Sequence, residues 1–494
     1  MPAASPSAPV QLLDPELIAK RVAFVSGHNG TTVAENALLG LVGPLSLLTA
    51  NIGIPWLFPA RLFHSGRLLD TATKLGLDYL LTVLPSLLAY TLLADSLRPL
   101  VLILGLLASA LGVFSLAEYL YLDRERPQLG DALRQPIIFR RRPIWLAYFR
   151  ANLLLSTGLA ILAVDLSVFP RRFAKSEIYG YGLMDVGVGA FVFLNGLAAP
   201  EIRRRSKRLG ERLRPIAWLL CLGCVRLTLV KLAGYQEVVS EYGRHWNFFF
   251  SLAAVKVISA LVGGLLPLRR CAWLCGLLVI AGYEYCLSNL QLYQLLLEEP
   301  PEGNGWLDLV ASNRSGLASL AGFAALHFFA MQAGVFLLRE RVRLKDWLRC
   351  VVQLGLATCL LYTATLLSEQ HWQPASRRLA NLTYLLWTLA YCAQALTAYF
   401  LLEFLVLLAG ALRLPLFAYC TVSPFEQLEP NGWRHISEGG LSFFLVANAL
   451  TGLANACLGD LAALHSAQAM SLLGVYAFLL LLFAYVIRQP TKQD

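Results

Sequence analysis

Charge is scarce in this chain. Asp, Glu, Lys and Arg make up only 15% of its 494 residues, against about 25% in soluble globular proteins. Long polar gaps are missing too, since apolar runs repeat to the C-terminal end. A length that would allow about three soluble domains therefore reads as one integral membrane domain. Several catalytic signatures are absent. There is no GxxxxGK[ST] phosphate loop, no HExxH, no GxSxG and no Cys/His cluster at metal spacing, which argues against a nucleotide-driven pump or a zinc protease. Helix-turn-helix and RNA-binding signatures are lacking as well, so the formal +10 charge does not call for nucleic acid. Met1 to Val10 has no basic end followed by an apolar core, and no cleavable signal is expected. The ten cysteines fall almost entirely inside apolar runs, which fits reduced, buried thiols. Cys221 and Cys224 form a CxxC within WLLCLGCV and read as packing residues rather than a redox or metal pair.

What is present is hydrophobic: 57% of the residues are apolar. About thirteen runs are long enough to span a bilayer, at roughly 20 residues each. They lie near 37–60, 76–94, 99–121, 144–169, 180–199, 213–234, 245–266, 271–288, 316–337, 346–367, 379–408, 440–458 and 467–487. The expected fold is an all-α polytopic membrane protein, with about thirteen transmembrane helices in one bundle. Residues 1–36 form a leading segment, 37–487 the membrane domain and 488–494 a tail.

Loop charge orients the bundle. One alternate set of loops, with the C-terminus, holds about 26 Lys/Arg and the other set, with the N-terminus, about 10. The basic set includes IIFRRR ending at Arg142 and EIRRRSKRLGER ending at Arg212. By the positive-inside rule these face the cytosol, which puts the N-terminus on the lumenal or extracellular side and the C-terminus in the cytosol. Lipid-headgroup contact accounts for the two Arg clusters.

The side poor in basic loops carries the unusual sequences. They are FVSGHNGTT (24–32), FPRRFAKSEIYG (169–180), GYQEVVSEYGRHWNFFF (234–250), SNRSG (312–316) and SRRLANL (376–382). Ionisable groups at the hydrocarbon boundary are costly and mark functional sites in multi-span proteins. Asp165 lies about one turn before Pro170, which is expected to end the fourth helix. Lys175 follows in the connection, and Asp185 one to two turns into the next helix. Asp165 and Lys175 can meet at the non-cytosolic edge; a structural ion pair capping the hairpin is the alternative. Arg226, Lys231, Glu237, Glu241 and His245 can form a second wall or bridge among themselves. Trp246 fits an aromatic belt, and Asn247, set among aromatics, needs a partner. His327 reads as a satisfied core histidine. Lys256, about three turns into its span, needs a polar partner. Asn448 and Asn455, seven residues apart, read as helix-packing amides. Sequons at Asn29, Asn313 and Asn381 all fall on the non-cytosolic side, close to the membrane edge.

The segments AVDLSVFPRRFAKSEIYGYGLMDVGVGAFVF and GYQEVVSEYGRHWNFFF resemble the inositol acyltransferases of glycosylphosphatidylinositol (GPI) anchor biosynthesis, the phosphatidylinositol glycan class W family. The likeness extends to NGTT near the start, NRSGLASLAGFAALH from Asn313, SRRLANL from Ser376 and NALTGLANACLGD from Asn448. It implies a multi-span enzyme of the endoplasmic reticulum. Such an enzyme moves a fatty acyl chain, typically palmitoyl, from acyl-coenzyme A to the inositol 2-hydroxyl of glucosaminyl-phosphatidylinositol on the lumenal side. The partners implied are the two substrates and membrane lipid, with no resident cofactor or metal. Asp165 and Lys175 hold the matching positions of the VDxxxFPRRFAK pattern and are implied to be catalytic. Ser315 stands where the family usually has an acidic residue after NR, so no carboxylate role attaches to that position.

An inositol hydroxyl needs a base, and a thioester needs its developing oxyanion stabilised. Asp165 is assigned as the base, and Lys175 orients it or stabilises the oxyanion. Arg171 and Arg172 are expected to grip the lipid phosphate through guanidinium forks. Asp185, Glu237, Glu241, His245, Trp246, Asn247, Arg314 and Arg378 complete the expected substrate wall. His245 is the competing base. The alternative function is a polytopic lipid transporter or flippase with a polar site on the same side, which should show repeat symmetry between halves; none is evident. A His-dependent membrane O-acyltransferase would instead use His327.

Overall fold

A computed structural model of the chain describes residue 24 and residues 27–57, 68–122, 128–134, 136, 144–202, 209–232, 245–298, 306–412 and 431–487. The terminal stretches 1–23 and 488–494 lie outside the described residues, as do Glu237 and Glu241. The elements in chain order are α1 (Val33–Leu57), α2 (Leu68–Asp78), α3 (Leu84–Ala89), α4 (Leu97–Leu122), α5 (Leu129–Arg134), α6 (Ile144–Ala163), α7 (Leu183–Leu197), α8 (Leu209–Leu232), α9 (Phe248–Leu265), α10 (Leu268–Asn289), α11 (Leu292–Leu297), α12 (Trp306–Ser312), α13 (Arg314–Leu337), α14 (Leu344–His371), α15 (Leu382–Ala411), α16 (Asn431–Glu438), α17 (Gly440–Leu458) and α18 (Ser466–Val486). No strand occurs among the described residues. Gly30 and Thr31 each form an isolated bridge with Tyr181, and Pro136 forms one with Arg343.

Eleven of these helices are long and apolar enough to cross a membrane: α1, α4, α6, α7, α9, α10, α13, α14, α15, α17 and α18, some with flanking residues. The other two expected spans, 76–94 and 213–234, do not join them. The first falls on α2 and α3, separated by the π turn Tyr79–Val83, a local widening common at functional or strained positions. The second falls on α8, which contains Pro215.

Side-chain burial sorts the helices. On α4, Leu102, Ile103, Leu106, Val113 and Phe114 are exposed, the pattern of a helix whose outer face meets lipid. Cys221 and Cys224 on α8 are also exposed. By contrast α1, α6, α7, α13 and α15 are largely buried. No hydrophobic drive separates helix from lipid tail, so close packing must hold them together. Small residues make that possible. A Cβ at Gly196 of α7 would strike the backbone of His327 on α13, and one at Gly334 of α13 would strike Leu197 of α7. A Cβ at Gly189 would strike Thr388 of α15. The α7–α13–α15 core thus rests on backbone approach.

Buried carboxylates tie further elements together away from this core. Glu403 of α15 accepts the Trp145 N–H at 2.8 Å at the start of α6. Asp78, at the end of α2, accepts Gly432 N–H at 3.1 Å and the Tyr485 hydroxyl at 2.5 Å, docking α16 onto α2 and α18. Trp433 of α16 donates to Thr82 at 2.9 Å.

Candidate functional site

The fourth expected span ends earlier than its apolar run. α6 stops at Ala163, and the chain leaves it through tight turns, with Asp165 N–H donating to Leu162 O and Leu166 N–H to Ala163 O. Asp165 therefore stands in the turn after the helix, not in its last turn. Arg171 donates to the carbonyls of the connection itself. Its Nη1 donates to Val164 O (2.7 Å) and Phe24 O (3.4 Å), its Nη2 to Leu166 O (2.8 Å) and Phe169 O (2.7 Å), and its Nε to Phe169 O (3.0 Å). The guanidinium also lies 4.0 Å from the ring centre of Phe24. Arg171, expected to grip phosphate, here turns its N–H groups toward backbone carbonyls. Burial pulls its pKa down to about 10, while the Asp165 carboxylate pushes it up, so it stays charged at neutral pH and sits within electrostatic reach of Asp165.

Asp165 is partly buried. Its Oδ2 accepts a 2.8 Å hydrogen bond from Asn455 Nδ2, on the last two turns of α17. Nearby, Ser167 donates to Leu464 O at 3.3 Å in the turn between α17 and α18. Sequence reading placed Asn455 in a packing face with Asn448. The structure separates them: Asn448 is exposed and donates to Phe444 O within its own helix, while Asn455 reaches the carboxylate. Lys175, ten residues after Asp165, is partly buried in the same connection.

Arg172 faces the other way. It makes a forked contact with Glu35 (Nε to Oε1 at 3.1 Å, Nη2 to Oε1 at 3.0 Å) and reaches Asp95 Oδ1 at 2.6 Å. Thr31 donates to the same Glu35. Arg172, the other arginine expected to grip phosphate, thus ties the connection to the start of α1. The segment before α1 lies across the connection: Thr31 N–H donates to Tyr181 O, and Glu177 N–H to His28 O. Asn36 Nδ2 donates to Tyr181 O at 2.6 Å. Where the two segments cross, Gly30 has φ +73° and Gly180 φ +142°, regions that side chains disfavour; a Cβ on Gly30 would enter the backbone of Tyr181 and one on Gly180 that of Asn29.

Asp185 is the third residue of α7, not one to two turns inside it. It is fully buried, and its oxygens are occupied. Oδ1 takes Arg377 Nε at 2.7 Å, and Oδ2 takes Ser176 N–H at 2.9 Å and Gly182 N–H at 3.1 Å. A carboxylate in the first helical turn suits the helix dipole. Together these contacts fix the connection's end to the loop before α15, where Gly180 N–H also donates to Ala375 O. Asp185, expected in the substrate wall, is a joint of the fold.

The second wall resolves into a helix cap. Asn247 accepts from Phe249 N–H and Phe250 N–H and donates to Gly223 O at 3.0 Å, the behaviour of an N-cap residue. Trp246 Nε1 donates to Ser251 Oγ at 2.8 Å. The amide and the indole, both expected in the substrate wall, hold the start of α9. Arg226 is exposed on α8, and the side chain of Lys231 lies outside the described residues. His245 is partly buried, its backbone N–H donating to Asn313 Oδ1 at 2.9 Å. Arg314 donates to Glu298 O at 2.9 Å and Arg378 to Leu296 O at 3.0 Å, both at the end of α11. His327 is buried, with no partner for Nδ1 among the described residues.

Of the sequons, Asn313 and Asn381 are buried and occupied by backbone partners, which leaves no room for a glycan; Asn29 is exposed. Among the described residues, parts of the five unusual segments are linked to one another; 25–26 and 234–244 lie outside the described residues. The 24–32 segment binds the 169–181 connection, which binds the 375–381 loop, which meets the end of α11 and, through residues 313–315, His245. Sequence reading did not assign roles to Glu35, Asp95 or Arg377, and gave Asn455 a different one. The Arg377–Arg378 doublet was the available signal for the first of the two arginines. No group of three or more His, Cys, Asp or Glu that could hold a metal occurs among the described residues.

Residues 18–487 match the family described as GWT1. The chain is 30% identical over 503 residues to the glucosaminyl-phosphatidylinositol-acyltransferase PIGW of Bos taurus, covering 95% of this chain and 97% of that protein. It is 33% identical over 365 residues to the protein of the same name from Homo sapiens (68% of this chain, 71% of that one). It is 32% identical over 492 residues to GPI-anchored wall transfer protein 1 of Gibberella zeae (92% and 94%).

Proposed function

The chain belongs to the GWT1 family, and we propose that it is a membrane acyltransferase of GPI-anchor biosynthesis. It moves a fatty acyl chain, palmitoyl in the first instance, from acyl-coenzyme A to the inositol 2-hydroxyl of glucosaminyl-phosphatidylinositol. The protein resides in the endoplasmic reticulum, with the Asp165 end of the bundle and the N-terminus lumenal and the C-terminus cytosolic. The unequal distribution of Lys and Arg among the loops supports that orientation.

The observation that carries the assignment is the setting of Asp165. It is a partly buried carboxylate at a helix end, held through one oxygen by a neutral amide, in a connection folded back by Arg171 and anchored at its far end by Asp185 and Arg377. A general base needs a carboxylate held in place beside the reacting atoms. As the inositol oxygen attacks the thioester carbon, its proton passes to Asp165. Lys175 stabilises the negative charge on the carbonyl oxygen. Collapse breaks the carbon–sulfur bond, and the coenzyme thiolate leaves with the proton from Asp165. Arg171, Arg172, Asp185, Trp246 and Asn247 build the walls rather than contact the lipid. Glu237, Glu241 and His245 remain proposed wall residues, and the acyl chain lies in an apolar groove between helices.

The test is direct: purified protein, acyl-coenzyme A and glucosaminyl-phosphatidylinositol, with mass spectrometry of the lipid. The expected product is heavier by one acyl group on the inositol. Full transfer by Asp165→Ala, together with loss of transfer by His245→Ala at equal protein level, would move the base to His245.

A further inference from the structure

Arg378 is a buried cation that the chemistry above does not use. It is only 9% exposed. Its Nη2 donates to Leu296 O, but its Nε is shielded from solvent and has no acceptor among the described residues. Its neighbour Arg377 is paired with Asp185. Arg378 makes no ion pair among the described residues; the exposed Glu177 attracts it, and Arg377 and Arg314 act on it as like charges. A buried charge without a counter-ion is costly. Arg314 comes from a different segment to the same end of α11. Capping of α11's last carbonyls explains one N–H of each arginine. It does not explain why Nε of Arg378 is left facing no acceptor among the described residues.

We propose that Arg378, with Arg314 beside it, forms a subsite for a phosphate ester, and that its occupant is the phosphodiester of the acceptor lipid. The inference rests on the acceptor being an inositol phospholipid, as proposed above. A guanidinium presents Nε and one Nη as a fork that matches two phosphate oxygens, and an anion there neutralises the converging charges. Acyl-coenzyme A also carries phosphates, so the two sources must be told apart.

Kinetics with each substrate varied in turn do so. The phosphodiester's charge does not change during acyl transfer, so a contact to it acts as uniform binding. Arg378→Gln should then raise KM for glucosaminyl-phosphatidylinositol about tenfold or more, the scale of a lost charge-assisted hydrogen bond, with KM for acyl-coenzyme A unmoved. Arg378→Lys, which keeps the charge but not the fork, should fall between. A rise in the acyl-coenzyme A KM alone, or no change in either, overturns the proposal. Binding supplies a readout free of catalysis and of any variant. In detergent micelles, phosphatidylinositol should raise the unfolding temperature of the unmodified protein more than diacylglycerol does. Equal shifts overturn the subsite even if Arg378→Gln does not fold. An unmodified protein that binds phosphatidylinositol but transfers no acyl chain sinks the enzymatic reading and leaves the subsite standing.

Discussion

Asp165 and Asp185 bracket one connection, twenty residues apart, and their surroundings differ in kind. Asp185 is fully buried, with an arginine on one oxygen and two backbone amides on the other. Asp165 is partly buried, held by the side-chain amide of Asn455 and within reach of the field of Arg171. A carboxylate saturated by charge and amides cannot take a proton without dismantling its surroundings. Asp165 has a side-chain amide on one oxygen and an arginine within electrostatic reach. On the proposed reading the two identical side chains divide the labour, one as joint and one as reagent.

The sharpest way to break this contrast is to remove each charge while keeping its shape. Asp165→Asn should lower acyl transfer about 10²–10⁴-fold, the usual worth of a general base, with the unfolding temperature unchanged. If Asp165→Asn unfolds the protein as readily as Asp185→Asn, both aspartates are joints and the distinction fails.

The converse prediction concerns Arg377. Breaking a buried ion pair from one side leaves an uncompensated charge and costs about 3–5 kcal/mol. Arg377→Met should therefore cut thermal stability sharply in detergent. The double replacement Asp185→Leu with Arg377→Met should recover only part of it, because Ser176 N–H and Gly182 N–H also rely on that carboxylate. Recovery of full stability would mean that the amide contacts contribute little.

Much of this division could not be read from the chain. Apolar length gave the helices, because a bilayer forces long uniform runs. The thirteen expected runs all fall on helical segments, although only eleven helices meet the length and composition of a span. The linkage among parts of the five polar segments also followed from alternation and loop charge. Residue roles did not. Asp165, Arg171 and Asp185 share one short motif, yet whether each faces carbonyls, amides or a cavity depends on partners such as Phe24, Asn455 and Arg377, which are distant in sequence. Asn247 was legible as an amide needing a partner, but not as an N-cap, because the run 245–266 hid where α9 begins.

Asn455 sharpens the comparison from the reactive side. If its amide orients Asp165, Asn455→Leu should lower kcat about tenfold, the scale of one neutral hydrogen bond lost at the reacting centre, with little change in the KM of either substrate. Asn455→Asp should lower it further at neutral pH by placing a second negative charge 2.8 Å from the first. A stability loss with kcat intact would make Asn455 the packing residue that its sequence context suggests.

The smallest effect is expected at Glu35, the third carboxylate at this end. Like Asp185 it is paired with an arginine, but its side chain is 21% exposed, that of Arg172 34%, and that of the second partner Asp95 88%. Water and salt screen such a pair, so it is worth about 0.2–1 kcal/mol. Glu35→Gln keeps a hydrogen-bond acceptor for Thr31 and Arg172 and should shift the unfolding temperature slightly. Acyl transfer should fall only a few-fold, on the scale of that same interaction energy, and raising salt should produce most of the same change in the unmodified protein. A loss as deep as that of Asp165→Asn would show that the segment before α1 does more than pin the connection, and would make Glu35 a second reagent rather than a weaker joint.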